Sequence, residues 1–382
     1  MNADGTNLPK MEDERSEAFY SIALMLCPGI GHRGAKRLVD ELGSAQAVFE
    51  HRKEIPALIP DASQRVCEAL DCQEAFEGAK KELEFVEKNH LTCLTMQDED
   101  YPARLRDCVD APVVLFFKGN CDFNRSHVVS MVGTRHASDY GKQFCADFLR
   151  DLAALCPDVL VVSGLAYGID IHCHRGALAG GLSTVGVLAH GLDRIYPYQH
   201  RQTAIQMLEK GGLLTEFPSG TNPDAFNFVC RNRIVAGMAD AIIVVESAEK
   251  GGSLITSDLA IGYGRDCFAV PGRVDDAFSK GTNQLIRDNK AALIENAEDF
   301  LKAIGWQTED KKNAPVQREF FPDLSSEEQK VVEILRHRGD LQVNSLVMLS
   351  NISFSQMSAL LFQLEMKGVV RAMVGGVYRL LK

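Results

Sequence analysis

Short apolar runs alternate with stretches of helical periodicity through the middle of the chain. In the first helical stretch, Phe144, Phe148 and Leu152 recur four residues apart, which is the spacing of one helix face. Strands of continuous apolar character that alternate with helices are typical of a parallel sheet covered on both faces. The pattern therefore predicts an α/β fold with a doubly wound, mostly parallel sheet over residues 91–304. The predicted strands lie in PVVLFF, HVVSMVG, VLVVSG, STVGVLA, GGLLTEF, DAIIVVES, CFAVPG and AALIEN.

A pattern of short amphipathic helices precedes the sheet. Residues 17–90 are predicted to form a SAM-like or helix-hairpin-helix-like domain, in which PGIG at 28–31 separates two helical runs. Such a turn can present its N–H groups to a DNA phosphate, or it can join two helices and bind nothing. Because the segment is acidic and phosphate binding normally requires positive charge, the turn that binds nothing is favoured. Residues 1–16 are predicted to be a disordered tail.

The end of the chain has its own pattern. Residues 305–322 are predicted to be a linker, and residues 323–382 a winged-helix domain. The Ser-Ser pair at 325–326 is placed to cap the first helix of this domain. VVRAMVGGVYRL is predicted to form two strands that turn at the glycine pair 375–376. Apolar residues at helical spacing between these elements are Met357, Leu360, Leu361 and Leu364.

The composition is that of an ordinary globular protein with unevenly distributed charge. The 382 residues have a formal charge of −11 and are 46% hydrophobic. Residues 1–110 hold 13 basic against 22 acidic side chains, whereas residues 111–304 hold 18 against 21 and residues 305–382 hold 10 against 9. The central segment is therefore close to neutral and can carry a local basic patch, since net charge does not decide whether a site exists.

Membrane segments, secretion signals and disulfide frameworks are not indicated. No apolar run approaches the roughly 18 residues that a membrane helix needs, and the polar, acidic start lacks the pattern of a secretory signal. The eleven cysteines contain no C-x-x-C pair. Reduced, buried thiols in a cytoplasmic protein fit this usage better than a disulfide frame or a zinc site.

The loops that follow the strands should carry the function, because ligands of doubly wound sheets bind beyond the carboxyl ends of the strands. The first loop, MVGTRHASDYG, contains Gly133, Thr134 and Arg135, and it offers a sharp turn, a projecting guanidinium and the N–H groups of a helix start. Ser138 is placed to cap that helix. The dinucleotide fingerprint G-x-G-x-x-G is absent from this loop.

The second loop, SGLAYGID, brings backbone close to the cleft at Gly164 and Gly168. A catalytic triad of Ser163, Asp170 and His174 is not favoured. Ser163 lacks the G-x-S-x-G elbow, and Asp170 is explained by the dipole of the helix that it begins. The HCH sequence in that helix does not favour a metal, because side chains two residues apart on a helix point to different faces.

The remaining loops add glycines, arginines and aromatic side chains at the same edge of the sheet. AHGLDRIYP shapes the wall of the cleft, and FNFVCRNRIVAG at 226–237 is predicted to be the fourth loop. ESAEKGGSLIT and VPGRVDDAFSKGTNQLI contribute backbone N–H groups that suit an anion. One of the two arginines in the fourth loop is expected to form an ion pair inside the fold. The candidate binding residues are Phe228, Arg231, Asn232, Arg233, Gly251, Gly252 and Ser253.

No nucleophile, acid–base pair or metal-ligand set accompanies these groups. The site is therefore predicted to hold a phosphate-bearing polymer or a nucleotide rather than to break one, with no catalytic residue and no cofactor. Aromatic side chains beside arginines are typical of platforms on which bases stack.

Seven segments together resemble the DprA/Smf family of bacterial DNA-processing proteins. They are VGTRHASDYG, VVSGLAYGIDIHCHRGAL, GVLAHGLDRIYP, LLTEFPSG, FVCRNRIVAGMADAIIVVESAEKGGSLIT, GRDCFAVPG and GTNQLI, and they are distributed in order along residues 111–294. The resemblance implies an extended Rossmann-like core that binds single-stranded DNA. It also implies a homodimer that protects incoming or recombining DNA and loads the RecA recombinase onto it in DNA-mediated transformation.

The resemblance also assigns roles to the candidate residues. It implies that Arg135, in the loop with Gly133 and Thr134, is the main phosphate contact and that Phe228 stacks on a base. The residues that would line, brace or shape the same pocket are Arg231, Asn232, Arg233, Gly164, Gly168, Gly251, Gly252 and Ser253.

The chain departs from the family pattern in two places. The family often has proline after the aromatic residue at 228, where this chain has Val229, which could alter strand entry but should not remove the pocket. Basic residues are also sparse just upstream, in TNPDAFNF, so the groove could be weaker there. The presumed recognition helix of the winged helix, residues 353–367, carries Lys367 as its only positive charge. A helix with so little positive charge does not suit a reader of duplex DNA, so contact with a partner or with a second copy is favoured.

Two other functions fit parts of the sequence. A nucleotide-processing enzyme of the lonely-guy type, whose fold is also Rossmann-like, could use the Gly-Gly-Ser segment, but the chain lacks a placed general acid or base. An interaction scaffold could dock a partner on the winged helix. The favoured hypothesis is a non-enzymatic, cytoplasmic protein whose binding of single-stranded DNA is largely sequence-independent and sensitive to salt.

Overall fold

A computed structural model describes residues 16–59, 64–306, 324–350, 352–373 and 376–381. These residues form two compact units that divide near residue 310. Of the predicted tail, residues 1–16, only Ser16 is described, and of the predicted linker, residues 305–322, only Gly305 and Trp306 are described. The rest of both segments lies outside the described residues.

Helices precede the sheet in the first unit. The first of them begins after Ser16, whose hydroxyl accepts a hydrogen bond from the N–H of Phe19 at 3.2 Å. Phe19 and Ile22 are buried in the same hydrophobic core as Phe116 of the sheet. The N-terminal helices and the sheet therefore share one core. The helices are α1 (Glu17–Leu26), α2 (His32–Leu42), α3 (Ala45–Glu50), α4 (Ile55–Leu58), α5 (Gln64–Leu70) and α6 (Gln73–Lys88).

A nine-stranded sheet with flanking helices follows. Its strands are β1 (Thr92–Thr95), β2 (Val114–Asn120), β3 (Val128–Val132), β4 (Leu160–Ser163), β5 (Ser183–Val187), β6 (Gly211–Thr215), β7 (Ala241–Val244), β8 (Asp266–Ala269) and β9 (Ala292–Leu293). The helices between and after them are α7 (Ala103–Arg106), α8 (Asp139–Leu155), α9 (Ile169–Ala179), α10 (Arg201–Met207), α11 (Ala225–Gly237), α12 (Gly252–Gly262), α13 (Lys280–Arg287) and α14 (Ala297–Ile304), and a short 3-10 helix spans Tyr198–His200.

The order of the strands is β1-β2-β6-β5-β4-β3-β7-β8-β9. Neighbours from β6 to β9 pair in parallel, whereas β2 pairs antiparallel with both β1 and β6. The predicted doubly wound, mostly parallel sheet is confirmed, and β1 is an additional strand that the sequence pattern did not indicate. From β3 the chain moves one way through β4, β5 and β6, and then the other way through β7, β8 and β9. The direction therefore changes between β3 and β7.

The helix after β3 follows its predicted pattern. The hydroxyl of Ser138 caps α8 by accepting a hydrogen bond from the N–H of Gly141 at 3.2 Å. Phe144, Phe148 and Leu152 lie on its buried face. Regular four-residue spacing of large apolar side chains thus placed this helix correctly on the sheet.

One prediction from the loops is wrong. The segment 226–237 is not a loop but most of helix α11. Ile234 and Val235 are buried in the last turns of this helix, while Phe226 is 75% exposed in its first turn. Packing of its apolar end against the core favours the helix, although its first half exposes apolar side chains.

The second unit has the winged-helix arrangement that the sequence predicts. Ser325 and Glu328 form a capping box at the start of its first helix, and the side chain of Glu328 also lies 2.8 Å from Nζ of Lys367. The turn of the wing includes Gly375, which lies outside the described residues. The elements are α15 (Ser326–Arg338), β10 (Leu341–Gln342), α16 (Val343–Ser350), α17 (Phe354–Met366), β11 (Val370–Met373) and β12 (Val377–Leu380), with the strands in the antiparallel order β10-β12-β11.

Within the ranges that the structure describes, no single helix is both long and apolar enough to cross a membrane. One bent pair, Val343–Ser350 with Phe354–Met366, passes that test by length and composition alone.

Candidate functional site

A cavity of about 480 Å³ opens beyond the carboxyl ends of β3, β4 and β7. Because the chain leaves β3 and β7 in opposite directions, the cavity lies at the point where doubly wound sheets bind their ligands. Helix α11 forms a further wall. The predicted residues that line the cavity are Gly133, Thr134, Arg135, Phe228, Arg231, Asn232, Gly251, Gly252 and Ser253.

Arg135 provides an accessible positive charge at the cavity. Its side chain is exposed, and no carboxylate of the described residues lies within ion-pair distance of it. Its guanidinium carbon lies 4.8 Å from the centroid of the Phe228 ring. A guanidinium that is not paired with a carboxylate can bind a phosphate through two parallel hydrogen bonds.

Glu246, which follows β7, holds the loop that carries Arg135. Its backbone carbonyl accepts a hydrogen bond from the N–H of Thr134 at 2.8 Å. Its carboxylate accepts one from the N–H of Ser138 at 2.9 Å and another from the Ser138 hydroxyl. Glu246 is only 1% exposed, so water does not compete for these bonds. Arg135 therefore projects from a loop that is fixed on both sides.

Two glycines allow α9 to approach the same loop. Gly168 has φ +75°, and a Cβ there would lie 2.6 Å from the backbone carbonyl carbon of Arg135. A Cβ on Gly133 would lie 2.8 Å from Cβ of Ile169. Gly168 does not line the cavity. Instead, it lets the start of α9 close against the Arg135 loop.

Phe228 contributes an aromatic surface surrounded by positive charge. Its half-buried ring has the guanidinium carbons of Arg135 and Arg231 at 4.8 Å and 5.9 Å from its centroid. The ring of Tyr196 lies 6.0 Å away, centroid to centroid. Cation–π contacts of this length are attractive, so the two arginines help to hold Phe228 at the cavity wall.

Arg231 lines the cavity but is committed to the fold. It is 4% exposed, and its Nη1 donates hydrogen bonds to the carbonyl oxygens of Gly164, at 2.7 Å, and of Val187. Burial lowers the pKa of Arg231 to about 10. Gly164 does not line the cavity; its lack of a side chain makes room for this guanidinium.

Asp170 is the one acidic side chain among the described residues that line the cavity. Burial raises its pKa, while the nearby charge of Arg231 opposes that change. Its carboxylate also accepts a hydrogen bond from the N–H of Ala166 at 3.3 Å. The Asp170 carboxyl group is thus held at the start of α9 by the N–H of Ala166 and by the charge of Arg231.

The start of α12 supplies backbone N–H groups. Gly251 is the N-cap residue, and the N–H groups of Gly252 and Ser253 have no hydrogen-bond acceptor among the described residues. The hydroxyl of Ser253 donates to that of Ser247 at 2.9 Å and is therefore used inside the fold. Unpaired N–H groups at a helix start attract anions, so the backbone rather than the serine hydroxyl can bind a ligand here.

The segment that leads into α11 is held by the N-terminal helices. The N–H of Ser219 donates to the Glu82 carboxylate at 2.9 Å, and the Ser219 hydroxyl donates to it at 2.6 Å. Glu82 belongs to α6 and is 5% exposed. The two residues are 137 positions apart, so no local sequence pattern connects them. By contrast, Glu246 lies just after a strand, and that position could have identified it as a residue of the site.

Arg233 does not line the cavity, and its assignment to the binding residues is corrected here. It forms a buried ion pair with Glu216, and its Nη1 donates to the carbonyl oxygen of Asp110 at 2.7 Å. Nδ1 of His32 lies 3.4 Å from the same Glu216 carboxylate. Positions two apart on a helix face different sides, which is why Arg231 reaches the cavity and Arg233 reaches Glu216 and Asp110.

The side chains of Ser163 and His174 have other partners. The hydroxyl of Ser163 donates to the carbonyl oxygen of Met131 at 2.7 Å, and Nδ1 of His174 lies 2.7 Å from Oγ1 of Thr184. They do not form a triad with Asp170. A search of the described residues finds no group of His, Cys, Asp and Glu that could hold a metal ion.

Comparison with known families and curated proteins covers both units. The family model described as DNA recombination-mediator protein A matches residues 92–305, and the DprA winged helix domain matches residues 321–376. The chain is 33% identical over 295 residues to Protein Smf of Escherichia coli K12, covering 76% of this chain and 78% of that protein. It is 34% identical over 312 residues to a putative DNA processing protein DprA of Mycobacterium tuberculosis H37Rv, covering 78% and 79%.

Solved structures show the same relationship. DNA processing protein A from Streptococcus pneumoniae superposes with a TM-score of 0.59 and 29% identity, over 74% of this chain and 97% of that chain. The Helicobacter pylori protein, whose structure concerns its single-stranded DNA binding mode, gives 0.51 and 28% over 56% and 95%. With a family match that spans the whole cavity, this chain belongs to the DNA recombination-mediator protein A family, also called DprA or Smf.

Proposed function

We propose that this protein binds single-stranded DNA in the cavity, without cleaving it and with little preference for sequence. The observation that carries the proposal is the position of Arg135. It is an exposed guanidinium with no carboxylate partner among the described residues, in contact with an aromatic ring at the mouth of the cavity. Proteins that bind single strands combine such positive charge with aromatic stacking surfaces.

Each wall has a distinct role in this proposal. Arg135 and the N–H groups of Gly252 and Ser253 bind phosphate oxygens, and Phe228 packs against a base. Arg231 does not reach for the phosphate, because its hydrogen bonds to Gly164 and Val187 hold it in the fold. These contacts are made to the sugar-phosphate backbone and to the flat face of a base. Every base has such a face, so the contacts carry little sequence information.

The family supports a finer proposal about the role of the complex. We propose that a homodimer in the cytoplasm protects incoming or recombining single strands and loads the RecA recombinase onto them in DNA-mediated transformation. Size-exclusion chromatography with light scattering tests the dimer. A strand-exchange assay with RecA and a single-strand binding protein tests loading, and no stimulation by this protein would contradict it.

Nucleotide processing is the alternative that the cavity allows. Asp170 is a carboxyl group with a raised pKa beside the proposed phosphate site. The described lining residues include no second carboxyl group and no histidine, lysine or cysteine to act with it, and such a partner is what general acid–base chemistry usually needs. Incubation with nucleoside monophosphates and detection of released base would decide: turnover that Asp170→Asn abolishes would replace the binding proposal.

The test of DNA binding is fluorescence anisotropy of a labelled oligothymidine at low and moderate salt. We expect wild type to bind and Arg135→Ala to bind about tenfold more weakly or worse, since a hydrogen bond to a charged group contributes ~1.5–3 kcal/mol. Arg150→Ala is the matched control, because Arg150 is exposed near the end of α8, toward the opposite edge of the sheet. Equal affinity of all three proteins would remove the cavity from DNA binding.

A further inference from the structure

A second depression lies beside Arg135, and Phe228 does not line it. It has a volume of about 450 Å³ and lies between the first turns of α8 and α9, and we call it the α8–α9 groove. The lining side chains that matter here are Arg135, His136, Lys142, Tyr167 and His172. We propose that this groove is a second nucleotide subsite, which binds the part of the DNA strand that continues past Arg135. The proposal rests on the proposed function of the first cavity.

Arg135 is a wall of both depressions. The two volumes are similar, at about 480 Å³ and about 450 Å³. A phosphate bound to Arg135 is therefore next to two separate spaces, and a phosphodiester chain needs two spaces for the two nucleotides that flank a phosphate. A free nucleotide would need one space alone.

The polar groups of the α8–α9 groove suit a phosphate and its neighbours. None of the described side chains that line it is acidic. Nζ of Lys142 lies 2.9 Å from the carboxylate of Asp139, but both side chains are exposed, so the pair is weak and a phosphate can compete for the ammonium group. Burial lowers the pKa of His172, so at neutral pH its imidazole acts as a hydrogen-bond donor rather than as a cation.

Tyr167 gives the groove an aromatic surface that is held in place. Its hydroxyl donates to Oε1 of Gln199 at 3.0 Å, and its ring meets that of His200 edge to face, with 5.1 Å between centroids. The side chain is nevertheless 41% exposed. A fixed and accessible ring is what base stacking requires, so Tyr167 can act here as Phe228 does in the first cavity.

The test compares a short ligand, thymidine monophosphate, with an oligothymidine of about 16 nucleotides, the upper end of the site sizes of single-strand binding folds. With its phosphate at Arg135, the short ligand fills the first cavity alone, and the long one reaches both. We expect the double variant Lys142→Ala, His172→Ala to bind the long oligonucleotide on the order of tenfold more weakly and the short one as wild type does. The slope of log affinity against log salt should also fall by about 0.7 for the lost phosphate contact.

Lys210→Ala is the control, since Lys210 is an exposed lysine just before β6, at the opposite edge of the sheet. Equal affinity of the double variant and wild type for the long oligonucleotide would overturn the second subsite while leaving the first cavity intact. Equal weakening for both ligands would also overturn it, since the residues would then serve the first cavity. If wild type bound neither ligand, the proposed function itself would fail, which is a distinguishable result.

Discussion

Gly164 leaves the space that the guanidinium of Arg231 fills. A Cβ on Gly164 would lie 2.5 Å from Cζ of Arg231, while the carbonyl oxygen of Gly164 accepts a hydrogen bond from that same guanidinium at 2.7 Å. The loop after β4 and helix α11 are therefore joined by a contact that only glycine permits. Arg231 in turn lies 5.9 Å from the ring centroid of Phe228, so the shape of the cavity depends on this contact.

Substitution Gly164→Ala should damage both the fold and the cavity. The new methyl group would displace a buried guanidinium that has two carbonyl partners, and overpacking of this kind costs about 1–3 kcal/mol. We expect a lower midpoint of urea unfolding and weaker binding of oligothymidine. Gly262→Ala is the control, because a Cβ there has no atom within 4 Å. Matching midpoints for the two variants would show that Arg231 can leave its pocket without cost.

Phe228→Ala should weaken DNA binding by about 1–3 kcal/mol, the contribution of one base stacked on an aromatic ring. Phe228→Tyr should retain most of the affinity because the ring remains. Phe226→Ala is the matched control, since Phe226 lies on the same helix, is 75% exposed and does not line the cavity. Anisotropy titrations of the three variants check this, and a loss confined to Phe226→Ala would place the stacking surface elsewhere.

Arg233→Ala should destabilise the protein without a specific effect on DNA binding. It leaves the buried carboxylate of Glu216 without its cation, and breaking a buried ion pair in this way costs about 3–5 kcal/mol. The double variant Arg233→Met, Glu216→Gln should recover much of that loss, because no buried charge then remains unpaired. Urea unfolding measures both effects. Unchanged stability of Arg233→Ala would mean that His32 or solvent compensates Glu216.

His174 should make stability depend on pH. Burial lowers its pKa from 6.5 to about 3. The unfolded chain therefore binds the proton first, so the stability present above pH 6.5 is lost as the pH falls toward 3. His174→Asn, which can keep a hydrogen bond to Thr184, should show a flatter profile over that interval. Urea unfolding at several pH values tests this, and parallel profiles for the two proteins would contradict it. The slope will not vanish, because burial also lowers the pKa of His32 to about 4.

Strands β3 to β7 were predictable because they are buried along their whole length and read as largely continuous apolar runs. Helix α11 was not, because it inverts the usual pattern of an amphipathic helix. It buries Arg231 and Arg233 while it exposes Phe226 and Val229. This helix exposes an aromatic side chain and buries two arginines inside the fold. Its sequence therefore lacks the periodic apolar pattern on which the prediction of a helix depends.

The composition of the site was more predictable than its geometry. Glycines and an arginine at strand ends identified the cavity, since strand ends of a parallel sheet meet at one edge. The different roles of Arg231 and Arg233 could not be predicted from the sequence, because they depend on which partners the folded chain brings to each side of α11. The hydrogen bonds from Ser219 to Glu82 depend likewise on the packing of α6 against the rest of the unit.

The change of direction between β3 and β7 has a consequence for the order of events during synthesis. Arg135 follows one of these neighbouring strands, whereas Gly252 lies beyond the other, after β4, β5 and β6 have been made. A nascent chain that has completed only the first half of the sheet carries Arg135 but has no opposite wall. The proposed affinity for DNA should therefore arise late, when β7 has paired with β3, so that a growing polypeptide would not bind single-stranded DNA before its synthesis is complete.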